Sequence, residues 1–474
     1  MKVAVLDIGK TNAKVALVDT DRMTEVAVRT RPNRVLQAPP YPHFDIEGLW
    51  SFFLDSLRHF HAEHGVDEIS VTTHGACLVL LTETGELACP VLDYEHDGPN
   101  GLAEDYDKIR PLFSDSGSPR LPMGLNAGAQ LHWLLETVPN LRDRVAQVVT
   151  YPQYWSGRLT GHFATEATSL GCHTDLWLPQ QGRFSNLPQQ LRLPMAPLSR
   201  ASDVAGRITA EIAAATGLPV ATKVRSGLHD SNASLLPYLS QLDGPFSVVS
   251  TGTWVICMSM GGDSPALDPA RDTLMNVNAL GDPVPSARFM GGREYELMKP
   301  ETSAPSMADI DRVLSSNKAL YPSIEHSSGP FGGCAGGWSD PRMTPGEKGA
   351  ALSLYLAQVT AICLSLTRAS GPIIVEGPFT KNSLYLDMLA VMTGHTVFVS
   401  STATGTSIGA SMLCTPLNGS NIRLSERQMP AEAAHLSSYG DRWARIVNAL
   451  CSNVKNSSQK LEATGGLAAT DICP

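Results

Sequence analysis

The chain has 474 residues, 43% hydrophobic and 17% charged, with a formal net charge of -10. Such a composition describes a soluble globular protein, and a single core stops growing at about 250–300 residues, so two domains are expected. The acidic balance argues against nucleic acid as a partner, and no run approaches the ~18 apolar residues of a membrane span.

Residues 3–6 are a short apolar run ending at Asp7-Ile8-Gly9 and read as a buried strand. The start turns acidic too early for a signal peptide, so a cytoplasmic location is expected. Residues 15–18 and 26–28 follow across the turn-rich Asp19-Thr20-Asp21, a meander of adjacent strands. Ile46, Leu49, Trp50, Phe53, Leu54, Leu57 and Phe60 recur at helical spacing and predict a helix over about 46–63. Residues 69–72 form the next strand and deliver His74-Gly75 at its end. Residues 78–82 and 89–92 flank a turn, and 130–137 are helical up to Pro139. The pattern restarts after Gly244-Pro245, with a strand at 246–250, a glycine turn and a strand at 254–258. A long helix over about 345–369, a strand at 373–375, a helix at 382–393, a strand at 397–399 and a helix at 406–413, opened by Thr404-Gly405, complete the second half. Two α/β domains with a boundary near 240 follow: 1–240, 241–452, and a polar tail over 453–474 expected to fray. Residues 262–345, rich in Pro, Gly and Ser, read as irregular surface structure; a substrate or partner loop at Met290-Gly291-Gly292-Arg293-Glu294 is the alternative. Nine scattered cysteines without a C-x-x-C pair fit reduced thiols better than disulfides or a zinc site.

Five constellations carry chemistry. In Asp7-x-Gly9-Lys10-Thr11-Asn12-x-Lys14, amides freed at a glycine turn, a hydroxyl and lysines can hold phosphate oxygens, and Asp7 can orient a metal or its water. It is not a Walker loop, and taken alone a hairpin turn explains it as well. Ser250-Thr251-Gly252-Thr253 has no lysine and would hold phosphate by amides and hydroxyls, or be a plain turn. In Gly227-x-His229-Asp230-x-x-Ala233, an Asp on a loop entering a helix suits a base that accepts a hydroxyl proton during phosphoryl transfer, with His229 shaping the loop. Gly377 with Gly405-Thr406-x-x-Gly409-Ala410 makes room for a flat ligand such as adenine, or permits close helix packing. Thr73-His74-Gly75 and Asp93-Tyr94-Glu95-His96-Asp97, both at strand ends, are where a sugar would be gripped, unless they are structural.

In this order and spacing the turns resemble the FGGY family of carbohydrate kinases, of the actin, hexokinase and heat-shock ATPase superfamily, over about residues 1–415. The strongest matches are the opening D-x-G-x-T, the G-x-H-D-x-x-A and the S-T-G-T-W of residues 250–254. The resemblance implies two ribonuclease-H-like α/β domains with a central cleft for ATP and Mg²⁺, the sugar and base on 1–240 and the nucleotide on 241–452. It puts the general base on Asp230, the first phosphate motif on Asp7, Gly9 and Thr11 and the second on Thr251, Gly252 and Thr253; the reading of the residues adds Lys10, Asn12 and Lys14 to the phosphate contacts and gives Asp7 the metal. Gly405, Gly409 and Ala410 match the helix start bordering the nucleotide, while Thr73, His74, Asp93, Tyr94, Glu95 and His229 fall on the sugar side. The G-T-W ending, the His-Asp loop and the Gln130-Leu131 helix look like the rhamnulose and fuculose kinases. The family's Gly-Gly-Gly turn is here Gly377-Pro378-Phe379, where Phe379 would stack on adenine or Pro378 would stiffen the turn. Its aromatic-x-Asp-x-Arg pattern becomes Tyr94 with Glu95 at the Asp position and Asp97 replacing the Arg, and its Gln-Met-His stretch becomes Thr72-Thr73-His74. The implied activity is ATP-dependent phosphorylation of a terminal hydroxyl on a ketose, fuculose- or rhamnulose-like or a pentulose such as xylulose or ribulose. A nucleotide-binding sensor or scaffold with a degenerate sugar site is the first alternative, and a nucleotide-phosphate hydrolase the second. A homodimer is a family-level expectation.

Overall fold

The computed structural model describes residues 1–263, 265–301, 304–316, 318–334, 336–400, 405–416 and 423–464, with side chains up to Cys451. The chain forms two compact units: Met1–Asp243 with Leu274–Val284 and Thr402–Arg423, and Gly244–Thr273 with Pro285–Ser401 and Leu424–Pro474.

The first unit is built on a sheet in the order Val204–Arg207, Lys223–Arg225, Glu68–Thr73, Lys2–Ile8, Asn12–Asp19, Thr24–Pro32, with Leu228–His229 also paired to Glu68–Thr73. Lys2–Ile8 runs antiparallel to Asn12–Asp19 and parallel to Glu68–Thr73. Both of its faces are covered, which is why Val3-Ala4-Val5-Leu6 is uniformly apolar. Ala4 and Leu6 face Leu49, Phe53 and Leu57 of the helix Ile46–His64. Val3 and Val5 face Ala233 and Leu236 of Asp230–Leu239, and Ala410 and Met412 of Thr406–Met412. Each large apolar side chain buried this way contributes about 1.5–3 kcal/mol. Asp45 caps the first helix by accepting the Gly48 amide, and Gly65 at φ 75° ends it.

In the second unit the same device recurs. Phe246–Thr251 is antiparallel to Val255–Met260 and parallel to Ile373–Glu376, within the strand order Pro283–Phe289, Val255–Met260, Phe246–Thr251, Ile373–Glu376, Val397–Ser400, Leu424–Arg427. The helix Pro345–Leu366 starts with a Thr344–Glu347 capping box. It is long and apolar enough to cross a membrane by length and composition, but 72% of its apolar window is buried, and Leu352, Leu356 and Val359 lie in the core of this unit.

Two expectations, on the region 262–345 and on the cysteines, are corrected. The region 262–345 contains regular elements, Pro283–Phe289, Gly291–Met298 and Met307–Leu314, the last started by a Ser306–Asp309 capping box. The helix Ala433–Thr464 runs on into the segment read as a tail from 453, and Leu436, Tyr439, Trp443 and Val447 seat its earlier turns on the core. The helix Thr406–Met412 groups by its packing with the first unit, where Ser70 Oγ donates to the Ala410 carbonyl at 2.7 Å; Thr404 lies outside the described residues. Cys334 and Cys451 form a disulfide across 117 residues of sequence, while Cys77, Cys89, Cys172, Cys257, Cys363 and Cys414 are free and buried; Cys473 lies outside the described residues.

Candidate active site

Three parallel strands of the first unit end together. The register pairs Asp7 with Thr72, Leu228 with Thr72, and His229 with Thr73, so Asp7, His74 and Asp230 emerge at one edge of the sheet. Carboxyl ends of parallel strands are where open α/β sheets place their ligands. Gly227 makes this possible: its φ is 92°, and a Cβ there would stand 2.4 Å from the Val71 carbonyl oxygen.

Asp230 opens the helix Asp230–Leu239, and its side chain is 27% exposed. Its Oδ1 accepts the Ser231 amide at 2.6 Å and lies 3.2 Å from His229 Nε2. Burial pushes its pKa up to about 6, against the opposing pull of His74; the Asp7 charge adds to the rise and the Ser231 bonds reduce it. Burial pushes His229 down to about 4, so it is a neutral neighbour that shapes the turn. A carboxylate near pH 6 is suited to accept a proton at neutral pH.

Asp7 Oδ2 accepts from the hydroxyls of Thr406 and Ser407, the latter at 3.3 Å, and lies 3.4 Å from Lys14 Nζ. Among the described residues no three ligating side chains cluster for a metal. Mg²⁺ commonly takes one or two carboxylates and completes its shell with water and phosphate. Asp7, a hard oxygen donor flanked by two hydroxyls, fits that mode.

On the sugar side, His74 Nδ1 donates to the Gly75 carbonyl at 2.9 Å. Its Nε2 is therefore an acceptor, and it is buried with no partner among the described residues. Burial pushes the pKa of His74 down to about 4, so this lone pair persists at neutral pH. Phe44, Tyr94 and Tyr151 surround the ring at 5.1, 5.4 and 5.2 Å between centroids. Thr73 is turned inward and donates to the His74 carbonyl, so its hydroxyl holds the turn rather than a substrate.

Lys10, expected among the phosphate contacts, points to the sugar side. It pairs with Asp93, lies 3.1 Å from Glu95 Oε2, and sits 4.7 Å from the Tyr94 ring. Two carboxylates and an aromatic face outcompete solvent for it. It places a cation beside Asp93 and Glu95, while Asp97 is 85% exposed. Thr11 and Asn12 are exposed, and Lys14 is shared between Asp7 and Glu25. Gly9 donates to the Asn12 carbonyl, and Asn33 braces the turn by bonding to Gly9 O and Thr11 O, both at 2.8 Å. Asn33 and Ser407 were not singled out from the sequence, and Thr406 was read only as part of the Gly405–Ala410 helix start.

In the second unit, Thr251 is buried, and its hydroxyl donates to the Glu376 carbonyl at 2.5 Å and accepts the Phe379 amide at 3.1 Å. Its hydroxyl is therefore used to hold the Gly377 turn, not a phosphate; Gly252 and Thr253 remain exposed. Gly377 has φ 84°, and a Cβ there would meet the Thr251 oxygen at 2.0 Å. Phe379 does not offer a stacking face: it is buried between Tyr295 and Tyr385, at 6.0 and 5.2 Å. Pro378 is exposed in the turn. Gly409, expected beside the nucleotide, is buried against the Ala233 carbonyl, so close helix packing accounts for it, while Gly405 is half-buried. The Met290–Glu294 stretch braces the second turn, since Gly292 and Arg293 donate their amides to Thr253 O at 3.2 and 3.3 Å.

Residues 2–237 match the N-terminal domain of the FGGY family of carbohydrate kinases, and residues 243–422 match its C-terminal domain. A carbohydrate kinase from Novosphingobium aromaticivorans is 35% identical, with a TM-score of 0.88 over 94% of this chain and 98% of that one. A xylulose kinase from Lactobacillus acidophilus, 16% identical with a TM-score of 0.77 over 96% of this chain and 99% of that one, shares the fold. L-fuculokinase of Escherichia coli (strain K12) is 26% identical over 270 residues, 54% of this chain and 56% of that protein, so the chain spans about half the length of the curated relatives it matches. Both halves of the sequence thus carry the same assignment, and the chain belongs to the FGGY family of carbohydrate kinases.

Proposed function

We propose that the protein transfers the γ-phosphoryl group of ATP to a terminal hydroxyl of a ketose, L-fuculose- or L-rhamnulose-like or a pentulose such as xylulose or ribulose. The observation that carries this reading is Asp230, a carboxyl held near pH 6 on the same sheet edge as the unpartnered Nε2 of His74. Asp230 accepts the hydroxyl proton as the sugar oxygen bonds to phosphorus and the bond to the departing diphosphate breaks. His74 Nε2 accepts a hydrogen bond from a second hydroxyl, and Lys10 with Asp93 and Glu95 presents both signs of charge to the polyol. Asp7, with Thr406 and Ser407 beside it, would hold Mg²⁺, which when bound neutralises phosphate charge. Thr11, Asn12 and Lys14 are the first unit's phosphate contacts in this reading. The sensor alternative drew on the altered Asp93–Asp97 cluster, and Lys10 places a cation beside it.

ADP release measured with ATP and Mg²⁺ over 5-, 6- and 7-carbon ketoses and their alcohols tests the reading. Turnover that depends on one ketose class is expected, and His74→Phe should raise KM for that sugar about tenfold with KM for ATP within about twofold. ATP binding with no phosphorylated sugar would favour the sensor; full-rate phosphate release without sugar would favour the hydrolase.

A further inference from the structure

The turn that bears Asp230 follows a strand of only two residues, Leu228–His229, so little of its position comes from the sheet ladder. Side chains hold it instead. Gln153 Nε2 donates to the carbonyls of Ser226 and Gly227 at 3.1 and 2.8 Å. On the other side, the His229 amide donates to Thr168 Oγ1 at 2.9 Å. The Thr168 hydroxyl donates in turn to Glu166 Oε2, which also accepts the amides of Thr168 at 2.9 Å and Ser169 at 3.4 Å. The two supports meet at Thr150, whose hydroxyl donates to Gln153 Oε1 and accepts the Glu166 amide at 3.1 Å.

Glu166 is 2% exposed and Thr168 1%. Among the described residues the Glu166 carboxyl takes its hydrogen bonds from neutral donors, the Thr168 amide and hydroxyl and the Ser169 amide. Burial pushes its pKa up to about 7, against those hydrogen bonds. An isolated buried carboxyl is destabilising compared with an apolar side chain of similar volume. What Glu166 does supply is direction. Its Oε2 takes the Thr168 proton, which leaves a Thr168 lone pair for the His229 amide, one residue before Asp230. We infer that Thr168, oriented by Glu166, is a positioning residue that sets the aim of the Asp230 carboxylate. This rests on the reading of Asp230 as the base.

The test uses the whole chain and a ketose from the panel above that it phosphorylates. Thr168→Val keeps the volume and removes the hydroxyl; it should lower kcat about 10- to 30-fold with KM for ATP within about twofold. Thr168→Ser, which keeps the hydroxyl, should recover most of that loss. Thr168→Ala replaces valine should valine not fold, and melting temperatures are recorded for every variant. If Thr168 acts through Asp230, Thr168→Val placed on Asp230→Asn should slow the remaining turnover less than twofold. A kcat for the folded valine or alanine variant within twofold of the parent, while Asp230→Asn is nearly inactive, overturns this inference alone. So does a loss of the same size in both backgrounds. Full turnover in Asp230→Asn overturns the base assignment and this inference together.

Discussion

Asp230→Asn should lower kcat by about 10²–10⁴-fold, the range removed with a general base, and leave KM for ATP within about twofold. Asn keeps the shape and can still accept the Ser231 amide, so the loss would report the proton acceptor and not a collapsed turn. The parent enzyme's kcat/KM should rise about tenfold per pH unit below about 6 and level off above it, because the ionised form accepts the proton. The same shift has a stability consequence of known sign. The folded pKa of Asp230 lies above its ordinary value of 3.8, so folding binds the proton. Its contribution is most favourable below 3.8 and is lost as pH rises through about 6, amounting to about 2–3 kcal/mol. Asp230→Asn should therefore melt higher than the parent at pH 7.5 and level with it near pH 3.5. Near-normal turnover in a folded variant would remove Asp230 from the mechanism.

Asp7 and His74 were readable because each closes an apolar strand at a polar or glycine turn, and Asp230 because its glycine-flanked loop enters a helix; local pattern carries those signals. Parallel pairing then brings the three ends to one edge without further instruction. The outcomes at Lys10, Thr251 and Phe379 share another physical origin: in each, the deciding partner lies far along the chain. Lys10 takes its direction from Asp93, 83 residues away, and Asp7 is held by Thr406, 399 residues away. Thr251 spends its hydroxyl on Glu376, and Phe379 finds Tyr295. A threonine in a glycine turn looks the same in sequence whether its hydroxyl faces a phosphate or a carbonyl. The support from Glu166 and Thr168 had no signal of its own, since a four-residue helix, Ala167–Leu170, has no periodicity to read.

Gly409→Ala should damage stability and turnover together, although alanine is the better helix former by about 1 kcal/mol. A methyl group at this position would stand 1.7 Å from the Ala233 carbonyl oxygen and 2.6 Å from its carbon. These are backbone atoms of the helix Asp230–Leu239 and cannot rotate aside, so the two helices must part. Overpacking of this kind typically costs about 1–3 kcal/mol and more where backbone must move, which outweighs the propensity gain. At about 2–4 °C per kcal/mol for a unit of this size, the melting temperature should fall by roughly 5–10 °C. The catalytic effect follows from what the two helices carry. Asp230 opens one of them, and Thr406 and Ser407 on the other hold Asp7. Separating them moves Asp230 relative to Asp7, and kcat should fall more than tenfold. Gly101→Ala is the matched control: no atom lies within 4 Å of its added methyl group, so melting and turnover should both stay with the parent. Should Gly409→Ala melt with the parent as well, the two helices do not touch as closely as the structure shows, and the coupling of Asp7 to Asp230 through them would have to be given up.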